Sequence, residues 1–284
     1  MTEQKRVILV TGANKGIGFE VVKKLLQQSS SKATDIILLG SRDIKRGQDA
    51  IQQLGSPTNV HLLQLDTSSK ENILINNAAI APRENTIEAT RTAFATNYYG
   101  IKMLNEYLIP LLRENGRIAN VASGVGPMVS YLFSKELQQK YTSPTLTTQE
   151  LDNIVEDFLS AFESHNLERI GYSSEIPFPA YTISKAALIA LTRIQAREYC
   201  NNKNISIYAV CPGFCATDLN NHAAGSRSAA IGADSILYVI DTPANELENG
   251  AFYQDGKKLP EICDDEAKVK AFVEHSKTLL KPKQ

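Results

Sequence analysis

Four apolar residues, Val7–Val10, run without a break into Thr11-Gly12-Ala13-Asn14-Lys15-Gly16-Ile17-Gly18, and an amphipathic stretch follows over residues 19–28. A strand that is apolar on both faces belongs in a parallel sheet covered by helices on both sides. Glycines directly after it permit a tight turn and let the backbone approach an anion at the N-terminus of the next helix. The spacing is G-x-x-x-G-x-G, in the strand–turn–helix setting that cradles a pyrophosphate. Gly12, Asn14, Lys15, Gly16, Ile17 and Gly18 are therefore candidate cofactor-binding residues.

The same rhythm continues along the chain. Residues 36–39, 60–65, 73–75, 117–121 and 205–210 read as further buried strands, with 251–254 as a last one. Val21, Val22, Leu25 and Leu26 fall at helical spacing, and 46–54, 90–112 and 181–199 read as helices, the second bent near Pro110. Alternating strand and helix predicts a Rossmann-type, doubly wound parallel α/β sheet forming a single domain over residues 1–284. Residues 130–180 interrupt the rhythm as a helical insertion. There Thr147-x-x-Glu150 is a capping box ahead of a stripe of Leu151, Ile154, Val155, Phe158, Leu159 and Phe162. Residues 256–284 are expected to form a peripheral C-terminal helix or tail.

Composition narrows the function. Lys+Arg is 30 and Asp+Glu 31, a net charge of -1, which gives no electrostatic footing for nucleic acid or an anionic membrane surface. The run at 7–10 is too short for a signal-peptide core, and no later run is long enough to span a bilayer. Cys200, Cys211, Cys215 and Cys263 form no C-x-x-C pair, so free thiols and a cytoplasmic location are expected. His61, His165, His222 and His275 are scattered, and no metal site is expected.

Further motifs follow the glycine turn in order. Asn76-Asn77-Ala78-Ala79 comes after the fourth strand. Asn97 lies in Ala-Thr-Asn-Tyr-Tyr-Gly, and Ser123 ends Asn-Val-Ala-Ser after the fifth strand. Tyr181-x-x-x-Lys185 opens a helix, and Pro212-Gly213 follows the sixth strand. With these motifs the chain resembles the short-chain dehydrogenase/reductase family over roughly residues 5–255. The insertion, the Asn-Lys-Gly-Ile-Gly run from Asn14, the Ser-Arg-Asp-Ile-Lys-Arg-Gly run from Ser41 and Glu136-Leu-Gln-Gln-Lys are similar to the monomeric carbonyl reductases of that family. The resemblance implies NADPH-dependent reduction of ketones, aldehydes or quinones by a monomer. Its insertion would line the substrate side and cover a helix face that relatives use to oligomerise. It also implies that Lys185 binds the nicotinamide ribose and that Asn97 supports a water-linked proton relay. Asp66 and Thr67 would contact adenine, Asn77 would contact the cofactor through its backbone, and Pro212, Gly213 and Cys215 to Thr217 would form the loop on the nicotinamide side.

The residue types support that chemistry directly. Tyr181 and Lys185 are four apart and share a helix face. A tyrosine with a pKa of about 10 is a poor acid near neutrality, and a neighbouring ammonium favours the phenolate. Tyr181 can then give its proton to a carbonyl oxygen as hydride reaches the carbon, with Ser123 holding the same oxygen. Strand two ends Leu39-Gly40-Ser41-Arg42, without the carboxylate that takes the ribose 2′-OH in NAD binders. Asp43 lies one step further on. Arg42 and Lys15 suit a 2′-phosphate, which favours NADPH, and Arg46 is equally a helper or a solvated helix charge. Phe214, Tyr131 and the insertion point to an apolar, partly aromatic pocket, or equally to plain packing.

Two departures stand out. Ala79 replaces the glycine of the family's NNAG. More seriously, only residues 67–72 separate the expected strands three and four, where a parallel crossover normally takes a dozen or more residues. The crossover helix is expected to be missing. The favoured explanation is a splice or gene-model product lacking about 16–20 residues, the size of a crossover helix and its loop. A shortened or re-paired strand four, or further residues of a longer chain, are the other two. Two alternative functions stay open on this basis: a non-catalytic or defective nucleotide-binding isoform, and an alcohol or steroid dehydrogenase working in the oxidative direction.

Overall fold

The computed structural model describes residues 7–29, 35–63, 73–200 and 203–279. Its strands are β1 (Val7–Val10), β2 (Ile36–Gly40), β3 (Val60–Leu63), β4 (Ile73–Asn76), β5 (Arg117–Val121), β6 (Ser206–Val210), β7 (Phe252–Gln254) and β8 (Lys257–Leu259). They form one sheet in the order β3-β2-β1-β4-β5-β6-β7-β8. Every neighbouring pair is parallel except β7 with β8, which closes the edge as an antiparallel hairpin that the sequence reading did not include.

Side chains alternate across the sheet, and both faces are apolar because both are covered. Ile8, Val10, Ile37, Leu39, Ile73 and Ile75 pack against α1 (Gly16–Ser29), α2 (Ile44–Gln53) and α9 (Ala229–Asp241). Leu9, Leu38, Leu74, Ile118 and Ile207 face α4 (Gly100–Leu108) and α8 (Pro179–Tyr199) on the other side. Of the expected helix over 90–112, the structure makes three pieces. α3 (Ile87–Phe94) starts early because the Thr86 hydroxyl accepts the Ala89 N–H at 3.2 Å. A π-helical turn, Ala95–Tyr99, follows before α4. Pro110 ends the run inside a 3₁₀ turn, as its missing N–H requires.

The insertion contributes α5 (Val125–Tyr131), α6 (Lys135–Thr142) and α7 (Thr148–Glu163). The capping box forms as read: the Glu150 N–H donates to Thr147 Oγ1 at 3.2 Å, and the Thr147 N–H to Glu150 Oε2 at 2.8 Å. Behind it, Leu151, Val155, Phe158, Leu159 and Phe162 are buried in one cluster with Phe94, Tyr98 and Tyr172, Phe158 and Phe94 lying 5.3 Å apart between ring centres. Tyr98 adds a polar pin by donating to Asp152 at 2.8 Å. Beyond β8, α10 (Glu266–Leu279) buries Val269 and Val273, so this end is a docked helix.

Residues 64–72, the connection between β3 and β4, lie outside the described residues, as do Asp66 and Thr67. What is described bears on the chain's reach. Val60, Ile37, Ile8 and Ile73 are level across β3, β2, β1 and β4. From Leu63 to Ile73 the chain must cross three strand spacings and come back three residues, a diagonal of about 17 Å. The links between positions 63 and 73 reach about 33 Å when extended. The sheet order is therefore within reach of a short connection. β4 also pairs in ordinary parallel register with β1 and β5, which excludes a re-paired fourth strand.

The insertion holds to the domain through one aromatic cluster. Replacing Phe158 with Ala should lower the unfolding free energy by about 3–5 kcal/mol in a urea titration. Ile154→Ala, on the half-buried edge of the same stripe, should cost clearly less.

Candidate active site

The glycine turn is locked to the end of β4 by one hydroxyl. Thr11 is buried, and its Oγ1 accepts the N–H groups of Asn77 and Ala78, each at 3.0 Å. Asn77 returns the contact, its Nδ2 donating to the Thr11 carbonyl at 3.0 Å. Gly12 and Gly16 take φ of +63° and +61°, the left-handed region that favours glycine. A Cβ at Gly18 would lie 2.7 Å from Asn77 Nδ2 and 2.8 Å from the Gly12 carbonyl, so the position has no room for a side chain. α1 begins at Gly16, and its free N–H groups open onto this turn with Asn14, Lys15 and Ile17 around them. Asn77 thus buttresses the turn with its side chain, which the sequence reading gave only a backbone role. Ala79 does not take a positive φ, so its methyl group is accommodated.

At the end of β2 the buried Ser41 donates to the Asp43 carbonyl at 2.8 Å. The Asp43 carboxylate caps α2, accepting the Arg46 N–H at 3.0 Å, and its other oxygen lies 3.7 Å from Arg46 Nε. The one acidic side chain here is therefore engaged as a helix cap. Arg42 is exposed and has no ion-pair partner among the described residues. Lys15 differs from expectation: it pairs with Asp218 of the segment after β6, and Asp218 also meets His222 Nε2 at 3.2 Å. These partners hold the Asp218 carboxyl below its usual range.

Ser123 follows β5, and Tyr181 and Lys185 stand on the first turns of α8. Burial is the dominant influence on both titrating groups. It pushes the Tyr181 phenol up to about 12, against the Ser123 hydrogen bond, which favours the phenolate. It pushes the Lys185 ammonium down to about 8. Lys185 is 1% exposed; its Nζ donates to the Val121 carbonyl at 2.7 Å and sits 5.8 Å from the Tyr181 ring centre. Against the sequence-based expectation that the lysine lowers the tyrosine pKa, Lys185 is not among the influences on the phenol, and desolvation outweighs the rest.

Asn97 sits fully buried in the π-helical turn. Its Oδ1 accepts the Ile80 N–H at 2.9 Å, while Nδ2 donates to the Ile80 carbonyl at 2.8 Å and to Ser184 Oγ at 3.0 Å. It ties the strand that leaves Asn76-Asn77-Ala78-Ala79 to the helix that carries Tyr181. Pro212, Gly213, Cys215 and Thr217 line the loop after β6, and Thr217 Cγ2 is 3.4 Å from where a Cβ on Gly16 would stand. Phe214 is exposed.

Sequence reasoning missed the polar frame beneath these groups. Asn76 donates to Asn105 Oδ1 and Asn120 Oδ1, each at 2.8 Å. Asn105 donates to Gln195 Oε1 at 2.7 Å, and Asn120 to Thr192 Oγ1 at 2.9 Å. All five residues are buried. An amide inside an otherwise apolar strand, Asn76 or Asn120, was the available signal. Also missed was Cys211, whose sulphur accepts the N–H groups of both Gly124 and Gly213 at 3.2 Å. A cleft of about 660 Å³ opens between residues 82–85, the insertion at 165–169 and the start of α8, over Phe162, Ile176 and Ile183. Ser123, Tyr181, Tyr131 and Phe214 do not line it.

A glycine turn at a helix N-terminus, facing Ser, Tyr and Lys at the carboxyl edge of a parallel sheet, defines a nucleotide-dependent oxidoreductase. The short chain dehydrogenase model matches residues 6–135, and one described as enoyl-(acyl carrier protein) reductase matches 164–239. The chain belongs to the short-chain dehydrogenase/reductase family and is an oxidoreductase of that kind. It is 34% identical to carbonyl reductase (NADPH) 1 of Sus scrofa, with 90% of this chain and 94% of the relative covered. It is 33% identical to (+)-neomenthol dehydrogenase of Capsicum annuum, with 89% and 96% covered. The solved structure of salutaridine reductase from Papaver somniferum superposes with a TM-score of 0.74 at 28% identity, covering 87% of this chain and 99% of that one. No helix among the described residues is long and apolar enough to cross a membrane.

The lysine makes a pH-dependent prediction. Between about pH 8 and 10.5 the unfolded chain keeps a proton that folded Lys185 has lost, so this group adds stability as pH rises through that window. Below pH 8 it costs the cofactor-free fold, by roughly 3 kcal/mol for a shift of this size. The stability difference between Lys185→Met and wild type should therefore shrink in the wild type's favour as chemical denaturation is repeated from pH 7 to pH 10. A pH-independent difference would contradict it.

Proposed function

We propose that this chain reduces carbonyl compounds to alcohols with NADPH, Tyr181 being the proton donor. The observation that carries the reading is the meeting of Ser123, Tyr181 and Lys185 at the ends of β5 and α8, with Lys185 Nζ 5.8 Å from the Tyr181 ring centre and held on the Val121 carbonyl, two residues before Ser123. The turn and the open N-terminus of α1 fit a pyrophosphate, with Gly12, Asn14, Gly16, Ile17 and Gly18 around it. The capped Asp43, the buried Ser41 and the exposed Arg42 fit a 2′-phosphate better than a free 2′-OH. Relatives named as NADPH enzymes support the same choice. Lys15 would join Arg42 there by releasing Asp218.

NADPH, when bound, supplies the hydride that reaches the carbonyl carbon. Tyr181 donates its phenolic proton to the carbonyl oxygen, and Ser123 holds that oxygen by a hydrogen bond. A phenol that burial keeps protonated is in the right state to act as an acid. Lys185, fixed on the Val121 carbonyl, is placed to grip the nicotinamide ribose, and water near Asn97 returns the proton to Tyr181. Asp66 and Thr67 complete the reading as adenine contacts, and Pro212, Gly213, Cys215 and Thr217 as the nicotinamide-side loop. α7 packs over α3 and α8, the face that relatives use for pairing, and we infer a monomer from that cover. The neomenthol dehydrogenase relative supports the alternative in which the same site runs toward oxidation, since one set of residues serves both directions.

Two substitutions test the reading. Tyr181→Phe should abolish turnover of a quinone or ketone panel while leaving the NADPH-induced rise in melting temperature intact; turnover retained would overturn the mechanism. Arg42→Asp should cut the NADPH over NADH preference by about tenfold or more, through lost attraction and added repulsion at the 2′-phosphate.

A further inference from the structure

The loop over the proposed nicotinamide side is held from outside itself. Arg227 grips it with both backbone and side chain. Its N–H donates to the Phe214 carbonyl and its carbonyl accepts the Ala216 N–H, both at 2.8 Å. Its guanidinium Nε donates to the Pro212 carbonyl at 2.8 Å, with Nη2 aimed at the same oxygen. The remaining donors make a bidentate pair with Asp255, Nη1 to Oδ2 and Nη2 to Oδ1, each at 2.8 Å. Gly213 takes φ of +74°, and a Cβ there would stand 2.4 Å from Arg227 Nε, so the guanidinium lies flat on the Gly213 backbone.

Asp255 anchors the arrangement in the turn between β7 and β8. Its N–H donates to Ser235 Oγ at 2.8 Å, and that hydroxyl donates to the Cys211 carbonyl at 2.8 Å. Two successive carbonyls, those of Cys211 and Pro212, are thereby fixed to one turn. The Gly213 N–H then points at the Cys211 sulphur, which also takes the N–H of Gly124, next to Ser123. The chain of contacts runs from the sheet edge, through the loop, to the residue beside the serine.

We propose that Arg227 and Asp255 are positioning residues. Acting as a forked strut, they set the 212–217 loop against the cofactor and keep it in register with Ser123. The inference rests on the proposed NADPH-dependent reading of the site. A lysine could keep the charge but not the fork, because one ammonium cannot chelate Asp255 and hold the Pro212 carbonyl in the same plane.

The test is steady-state kinetics with NADPH and a quinone on the purified full chain, alongside hydrogen exchange of the cofactor-free protein. Arg227→Met should raise the NADPH KM by about tenfold while kcat at saturating NADPH falls by less than about threefold. Arg227→Lys should recover part of that loss. Asp255→Asn, which leaves the arginine in place, should show the same pattern more weakly and covers the case in which Arg227→Met does not fold. Lys258→Ala removes the neighbouring Lys258–Glu248 pair on the same hairpin and should leave both constants unchanged. Exchange at the Gly213 and Ala216 amides should quicken in Arg227→Met and Asp255→Asn. An unchanged NADPH KM in an active enzyme, or unchanged exchange at those amides, overturns the strut. A wild-type chain that does not turn over NADPH overturns the functional reading instead, and the exchange arm still judges the strut.

Discussion

The parallel register of β1, β4, β5 and β6 is the constraint on which the rest depends. Val10 is level with Ile75, Ile75 with Ala119, and Ala119 with Tyr208, so four adjacent strands finish at one edge. The glycine turn, Asn77, Ser123 and the Pro212–Gly213 loop all leave from there. Because helices cover both faces, no water is at hand to satisfy polar groups at these strand ends, and the protein must do so itself. Thr11 does this between β1 and β4. Asn76, Asn105, Asn120, Gln195 and Thr192 do it between β4, β5, α4 and α8. Asn76 Oδ1 is buried without a partner among the described residues, and the remaining bonds of the network tie the strand ends beneath the candidate site together.

Burial that fixes the site also sets its electrostatics. The phenol of Tyr181 is held protonated, and Lys185 is cationic at the expense of stability, anchored by a single carbonyl. Below pH 8 the site thus holds a neutral phenol beside a poorly solvated cation. Lys15 and Asp218 show the same tension in a more exposed place. They pair between the glycine turn and the segment after β6, so an anion that claims Lys15 must separate them.

Much of this was legible in the chain. Strands β1 and β5 stand where the apolar runs put them, and the capping box and stripe of α7 were readable because helix caps and helix faces are local in sequence. Ser123, Tyr181 and Lys185 were legible as motifs, and the structure brings them together. Other features were hidden for identifiable reasons. The π-helical turn that seats Asn97 has no local signature in Ala-Thr-Asn-Tyr-Tyr. β8 is three residues long, two of them lysines, so it exists only because β7 offers an edge. Arg227 and Asp255 are 28 positions apart, and no motif or period links them.

The sequence by itself determined the alternation of elements, the place of the glycine turn and the identity of the candidate site's side chains. Those properties follow from hydrophobic period, glycine spacing and residue chemistry within a few positions of one another. Only the tertiary structure decided that Asp43 is a helix cap, that Lys15 answers to Asp218, that burial outweighs Lys185 in setting Tyr181, and that the Pro212–Gly213 loop hangs from Arg227. Each of these depends on which distant group arrives beside a charge and how much water is displaced on the way. Coulombic and desolvation energies are set by distance in space, and no period in the chain encodes them.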